Sequence, residues 1–248
     1  MTVFSLVHGG QQGAWCFEPL AGELEPHGHR SIAIDLPIGD PAAGASEYAD
    51  AVVESLAHVE DEVIVVGHSL GGLTIPLVAQ RRPVSLLVFL CGALPEPGTS
   101  LRGVIAEDAR SNSTPDLLDD DDLRHLTPRE QARDVFFPDL PRELQEWALD
   151  RQRPQCEKPH REITPLIDWP DVPVALASGM FDRCIPIERA RASALRIFGQ
   201  TPVELPEGHF PFLTSPALVA DELDRLARRE AAAWPRIHAR PRGGVADG

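Results

Sequence analysis

The run Val63-Ile64-Val65-Val66-Gly67-His68-Ser69-Leu70-Gly71-Gly72 decides how this chain folds. Its first four residues are β-branched and uninterrupted, the pattern of a strand buried on both faces of a sheet. Leu70 to Gln80 then follow helical spacing, so the chain passes from strand to helix through one sharp turn. That turn carries a GxSxG pattern with an extra glycine. Side chains at Gly67 and Gly71 would collide with neighbouring backbone in so tight a bend. Ser69 is thereby held at the carboxyl end of the strand. It lies beside a helix N-terminus whose free N–H groups favour developing negative charge.

Outward from this unit the same alternation recurs. Short Val, Ile and Leu runs at Val3 to Val7, Ser31 to Ile34, Leu86 to Leu90, Pro173 to Ala177 and Pro202 to Leu205 read as further buried strands. Helical spacing appears at Phe17 to His27, Tyr48 to Val59, Ile187 to Phe198 and Pro216 to Ala232. Strands alternating with helices predict an α/β fold, a mostly parallel, doubly wound sheet. Between Pro95 and Trp169 the alternation stops. No strand is expected there; the segment has a polar loop at Ser111 to Pro115, an acidic run at Asp119 to Asp122, and helical patterns at Pro128 to Val135 and Pro141 to Arg151. A structureless loop of this length is improbable in a compact domain, so residues 95–169 are read as an inserted helical lid. Residues 1–94 and 170–229 form the core, and residues 230–248, rich in Pro, Gly and Arg, are expected to be a disordered tail.

A serine hydroxyl needs a base, and the base needs an orienting carboxylate. Asp182, in Ser178-Gly179-Met180-Phe181-Asp182-Arg183, follows the strand Pro173 to Ala177 and falls at its carboxyl end, where open α/β sheets place their sites. Asp168 and Asp171 precede that strand and belong to the opposite edge; Glu188 and Glu204 stay open as alternatives. Of nine histidines, His209 alone combines a late position, a glycine turn and a strand just upstream. His8-Gly9-Gly10 closes the first strand, so the Gly10 N–H is expected to join that of Leu70 in an oxyanion hole. Gly9, Trp15, His68, Phe136, Phe137, Trp147 and Phe210 are candidates for a substrate pocket. The lid aromatics among them could equally pack the lid against the sheet.

Composition narrows the partners. The 248 residues carry a net charge of −15, with Lys158 the single lysine. Such a surface repels polyanions and no basic stripe relieves it, so no nucleic-acid partner is expected. The longest apolar run, about ten residues from Ser85 to Leu94, falls short of the roughly 20 that span a bilayer. Cys16, Cys91, Cys156 and Cys184 are widely spaced, without a CxxC pair. They read as reduced thiols of a cytoplasmic protein rather than metal ligands or a disulfide scaffold. No metal or cofactor is called for, and the expected state is a monomer or homodimer.

Four blocks give the chain a resemblance to the α/β-hydrolase superfamily, more narrowly to its methylesterase and hydroxynitrile lyase group. They are His8-Gly9-Gly10-Gln11-Gln12-Gly13-Ala14-Trp15-Cys16-Phe17, Gly67 to Gly72, Phe181-Asp182-Arg183-Cys184-Ile185-Pro186, and Gly208-His209-Phe210-Pro211-Phe212-Leu213. The resemblance implies the hydrolase fold with a Ser69, Asp182 and His209 triad. Lyase members of the group carry threonine after the first-strand histidine and lysine after the catalytic histidine. Gly9 and Phe210 stand there instead, and neither can bind cyanide or a cyanohydrin oxygen. Gln12 departs from the histidine common in relatives, which bears on pocket shape. The expectation is hydrolysis of a small, fairly hydrophobic carboxylic ester or lactone through an acyl-enzyme, with activity declining as pH falls toward roughly 6.5. A lactonase, thioesterase or cyclising enzyme with the same triad is the alternative, and a non-catalytic receptor a third.

Overall fold

The computed structural model describes residues 1–112 and 124–229. Ten α-helices, three short 3-10 helices and eight strands are assigned among them. The first half runs β1 (Thr2–Val7), α1 (Glu18–Leu24), β2 (Arg30–Ala33), α2 (Ala45–Ser55), β3 (Glu62–His68), α3 (Ile75–Arg81), β4 (Leu86–Leu90) and α4 (Leu101–Asn112). It continues with β5 (Arg124–His125), α5 (Arg129–Val135), α6 (Arg142–Leu149), β6 (Gln155–Cys156) and α7 (Lys158–Arg161). The chain then closes the sheet with β7 (Val174–Gly179), α8 (Ile187–Phe198), β8 (Val203–Leu205), α9 (Pro211–Thr214) and α10 (Pro216–Ala227).

Six strands form one sheet in the order β2-β1-β3-β4-β7-β8, every pair parallel. The central strands bury both faces, and their side chains alternate between two cores as the pleat requires. Phe4, Leu6, Ile64, Val66, Val88 and Leu90 join Leu20 and Leu24 of α1 and Val219 and Leu223 of α10 on one side. Val3, Val63, Val65, Leu87, Phe89 and Val174 meet Tyr48, Val52, Leu77 and Ala194 of α2, α3 and α8 on the other. Burial of each such side chain stabilises the fold by about 1.5–3 kcal/mol. The edge strands β2 and β8 are correspondingly less buried. Register brings the carboxyl ends level: Val7 pairs Gly67, His68 pairs Leu90, Leu90 pairs Ala177 and Gly179 pairs Leu205.

Three expectations need correction. Ser111 and Asn112 close helix α4 instead of opening a polar loop. Segment 95–169 contains strands after all, since β5 and β6 pair antiparallel with Arg124 opposite Cys156. Two residues are too short for a periodicity to show. The helix after Ser69 begins with a 3-10 stretch, Ser69–Leu73, before α3. The acidic run Asp119 to Asp122 and the tail 230–248 lie outside the described residues.

Segment 95–169 is tied to the sheet by polar contacts as well as by Phe137, Leu140 and Leu149, which enter the α1 and α10 core. The Cys156 N–H donates to Ile38 O at 2.8 Å and the Arg153 N–H to Gln11 O at 2.9 Å. Gln11 and Thr127 exchange two bonds, Gln11 Nε2 to Thr127 Oγ1 at 2.9 Å and Thr127 N–H to Gln11 Oε1 at 2.8 Å. Glu162 Oε1 accepts the Ala45 N–H at 2.7 Å, satisfying an open donor at the start of α2.

Candidate active site

Ser69 sits at the end of β3 with φ 49, a left-handed conformation that a non-glycine residue adopts at a cost of about 1–3 kcal/mol. Two bonds hold it there: the Ser69 N–H donates to Cys91 O at 3.2 Å, and Ser69 O accepts the Ala93 N–H at 2.9 Å. Gly71 and Gly72 permit the bend through close approach. A side-chain carbon would lie 2.5 Å from Val7 O at Gly71 and 2.2 Å from Ala93 O at Gly72. The extra glycine of the motif is therefore explained by the loop after β4, which crosses directly above it. The other non-glycine residues with positive φ, Gln11 (62) and Cys91 (46), lie on loops at the same end of the sheet.

Asp182 and His209 follow the adjacent strands β7 and β8. Their loops continue the ladder, with the Met180 N–H on Leu205 O at 2.8 Å and the Phe181 N–H on Glu207 O at 3.0 Å. His209 Nδ1–H donates to Asp182 Oδ2 at 2.7 Å. Asp182 Oδ1 accepts the N–H groups of Cys184 and Ile185 at 2.7 and 2.8 Å, which fixes the carboxylate in its turn. The other acids left open by the sequence face elsewhere: Glu204 forms a two-bond pair with Arg191 at 2.7 Å, and Glu188 lies against the same arginine. Burial opposes a positive charge on His209, but the Asp182 carboxylate, helped by Cys184, outweighs it and raises His209 well above its ordinary range.

His68 supports this arrangement from behind. Its Nε2–H donates to His209 O at 2.9 Å, with ring centroids 4.8 Å apart. Burial, then the neighbouring His209, holds His68 well below the usual histidine range, so it stays neutral. Cys91 is wedged between the parts: its sulfur lies 3.8 Å from Gly208 O, and Sγ, an Asp182 oxygen and a His209 nitrogen all lie within 4.8 Å of one another. Burial first, then Asp182, pushes this thiol well above its usual range and keeps it protonated. Ser69 is half-buried and its Oγ makes no hydrogen bond among the described residues. Such a bond commonly tightens only around a substrate.

The loop after β1 completes the site. Gly9 approaches the elbow so closely that a side-chain carbon on it would lie 2.7 Å from Ser69 Cβ. On Gly10 the same carbon would lie 3.6 Å from Leu70 Cδ2, so the two residues selected as amide donors adjoin each other. The sequence did not single out what holds this loop. His8 Nδ1–H donates to Gly9 O at 2.8 Å while Nε2 accepts the Leu36 N–H at 3.0 Å. Burial pushes His8 down to about 4, so both bonds persist at neutral pH. Arg153 also reaches across, to Leu36 O at 3.1 Å and Gln12 O at 3.4 Å. His8 belongs to the first-strand motif, but its partner Leu36 is 28 residues away and has no sequence signal.

The aromatic candidates form two groups. Phe136, Phe137 and Phe210 pack together, Phe137 and Phe210 with centroids 4.9 Å apart, and Phe210 lies 4.7 Å from His68. Phe137 and Phe210 are buried. Trp15 meets Trp147 edge-on at 4.9 Å, joining the first loop to α6.

A doubly wound parallel sheet with serine, aspartate and histidine at its carboxyl ends is the architecture of an α/β hydrolase. A family profile described as "Alpha/beta hydrolase family" matches residues 6–222, and the chain belongs to that family. Proteins similar to it are named as hydrolases and esterases. It is 29% identical to a pyrethroid hydrolase of Sphingobium wenxiniae over 246 residues, 92% of this chain and 88% of that protein. It is 34% identical to polyneuridine aldehyde esterase of Rauvolfia serpentina over 113 residues, 40% of this chain and 41% of that protein. The crystal structure of a pyrethroid hydrolase from Sphingobium faniae superposes with a TM-score of 0.75 at 25% identity, covering 93% of this chain and 99% of that one. Among the described residues no helix is long and apolar enough to cross a membrane.

Proposed function

We propose that this enzyme hydrolyses small, fairly hydrophobic carboxylic esters, lactones included, through an acyl-enzyme on Ser69. The observation that carries the reading is the buried His209–Asp182 bond of 2.7 Å, on loops held beside a serine in a strained turn. In the neutral form Nδ1 carries the proton, so Nε2 presents a lone pair to take the serine proton. His209 then returns that proton to the leaving alcohol, and water releases the acyl group by the same route. The Gly10 and Leu70 N–H groups stabilise the oxyanion; losing one such donor typically costs about 3–4 kcal/mol of transition-state stabilisation. Residues 95–169 act as a lid, with Trp15, Trp147 and Phe136 at the acyl site. The pyrethroid hydrolase match along most of the chain supports an uncharged ester substrate. Gly9 and Phe210, which supply neither hydroxyl nor charge, support hydrolysis over cyanohydrin cleavage. We place the enzyme in the cytoplasm on the ground that its four cysteines are unbridged, and take it to act as a monomer or homodimer.

The test is p-nitrophenyl butyrate hydrolysis combined with labelling by a fluorophosphonate. Turnover and labelling should both vanish in Ser69→Ala. Full activity in that variant would remove Ser69 from the mechanism.

A further inference from the structure

Beside the oxyanion turn the structure leaves a polar atom without a partner. Gln155, on β6, is fully buried. Its Nε2 donates to Cys156 O at 2.8 Å and to Tyr48 Oη at 3.1 Å. The Cys156 carbonyl fixes the orientation of the amide, because only the NH2 group can face another carbonyl oxygen. Gln155 Oε1 therefore points the other way, and it has no hydrogen-bond partner among the described residues. It points toward Gly10: a side-chain carbon on Gly10 would lie 3.7 Å from Gln155 Oε1 and 3.6 Å from Leu70 Cδ2, with nothing nearer. An orphaned buried acceptor is costly unless a bound group completes it.

We propose that Gln155 Oε1 is a specificity-determining acceptor for a hydroxyl on the carbon next to the scissile carbonyl, which makes α-hydroxy carboxylic esters the preferred substrate class. The inference rests on the esterase reading, in which Gly10 and Leu70 flank the carbonyl oxygen. A group reaching the oxygen beside Gly10 is then attached to the adjacent acyl carbon. The oxygen of a neutral carboxamide accepts only, so the incoming group must donate. An ammonium would donate too, but burying its charge against a neutral amide and Leu70 is unfavourable. A hydroxyl is the uncharged donor that fits. Gln12, fully buried on the loop of Gly10 with both amide atoms unpartnered among the described residues, adds to the unmet polar capacity at this end of the sheet.

The experiment compares methyl mandelate with methyl phenylacetate and methyl α-methoxyphenylacetate, which lack the donor and bracket its size. Wild-type kcat/KM for one mandelate enantiomer should exceed that for both donor-free esters by about tenfold or more. In Gln155→Met the ratio should collapse toward one. Gly10→Ala serves as a second deletion of the contact: the distances of 3.6 and 3.7 Å leave room for its methyl group, which would cover Oε1. Using ratios cancels any general loss of activity. A wild-type enzyme that treats the three esters alike, with a water satisfying Oε1 instead, overturns the proposal. So does a preference that survives both Gln155→Met and Gly10→Ala. Calorimetric binding of the same esters to Ser69→Ala separates the two readings. Donor-dependent affinity without wild-type turnover keeps the subsite and overturns the esterase reading; p-nitrophenyl butyrate turnover with donor-independent affinity does the reverse.

Discussion

Replacing Asp182 by asparagine tests the proposed mechanism at the bond that carries it. Asp182 Oδ1 holds the N–H groups of Cys184 and Ile185 at 2.7 and 2.8 Å, and Oδ2 accepts the His209 Nδ1–H at 2.7 Å. In Asp182→Asn the amide oxygen must stay with the two backbone donors, so the NH2 group turns to His209. Two donors cannot face each other. Nδ1 then accepts, the ring proton moves to Nε2, and in the proposed mechanism that nitrogen can no longer take the Ser69 proton. The resulting loss should be about 10⁴-fold in kcat, as expected when a triad histidine is locked in the wrong tautomer. A second consequence concerns pH. The protonated imidazole is the inactive form, and His209 is raised well above its ordinary range because Asp182 outweighs burial. Activity of the wild type should therefore fall on acidification through a pH above 6.5. With the carboxylate gone, burial, which favours the neutral ring, is opposed only by Cys184, so the limb should move to lower pH beneath a much lower plateau. Hydrolysis of p-nitrophenyl butyrate between pH 5 and 9, with an NMR titration of His209, measures both. An Asp182→Asn enzyme within tenfold of wild type, with an unshifted limb, would refute the mechanism.

Gly72→Ala sets a methyl carbon 2.2 Å from Ala93 O; the clash should cost about 1–3 kcal/mol or more. It also displaces the Ala93 N–H that anchors Ser69 O, so denaturation midpoint and kcat should fall together. His8, held at about 4 against an unfolded value near 6.5, contributes stability that is fully present above pH 6.5 and lost as pH falls from 6.5 to 4. Two and a half pKa units correspond to about 3 kcal/mol. The acid-induced drop in urea stability should shrink by about that amount in His8→Asn, and an unchanged drop would remove His8 as the cause. Thr127→Val deletes the acceptor for Gln11 Nε2 and should cost about 1–3 kcal/mol through the donor left unpaired. Amide exchange around Thr127 should quicken, whereas unchanged exchange would show that this bond does not tether segment 95–169.

The strand, turn and helix around Ser69 were legible because each depends on local chemistry: β-branched residues, glycine at a sharp bend, and helical spacing after it. Asp182 and His209 were legible for a related reason, since parallel topology forces every strand to end at the same edge. The chain after such a strand is where a site residue must lie. Glu188 and Glu204 could not be excluded that way, because sequence does not show which carboxylate turns toward the imidazole and which toward Arg191. Segment 95–169 was legible only as a break in alternation. The pair β5 and β6 is two residues long on each side, too short to carry a period, and α4 runs through the polar residues Ser111 and Asn112 that suggested a loop.

By itself the sequence determined the doubly wound core, the sharp turn at Ser69 and the places of Asp182 and His209 after neighbouring strands, because buried strands and tight turns impose local constraints on residue type. Only the tertiary structure decided what those residues face. The raised basicity of His209 comes from a carboxylate 27 positions away, and the fixed first loop from a bond between His8 and Leu36. The need for glycine at position 72 comes from a carbonyl on the loop after the next strand, and the orphaned oxygen of Gln155 from β6 packing beside the loop after β1. These are pairings across the chain, set by how strands register and loops cross, and no local pattern encodes them.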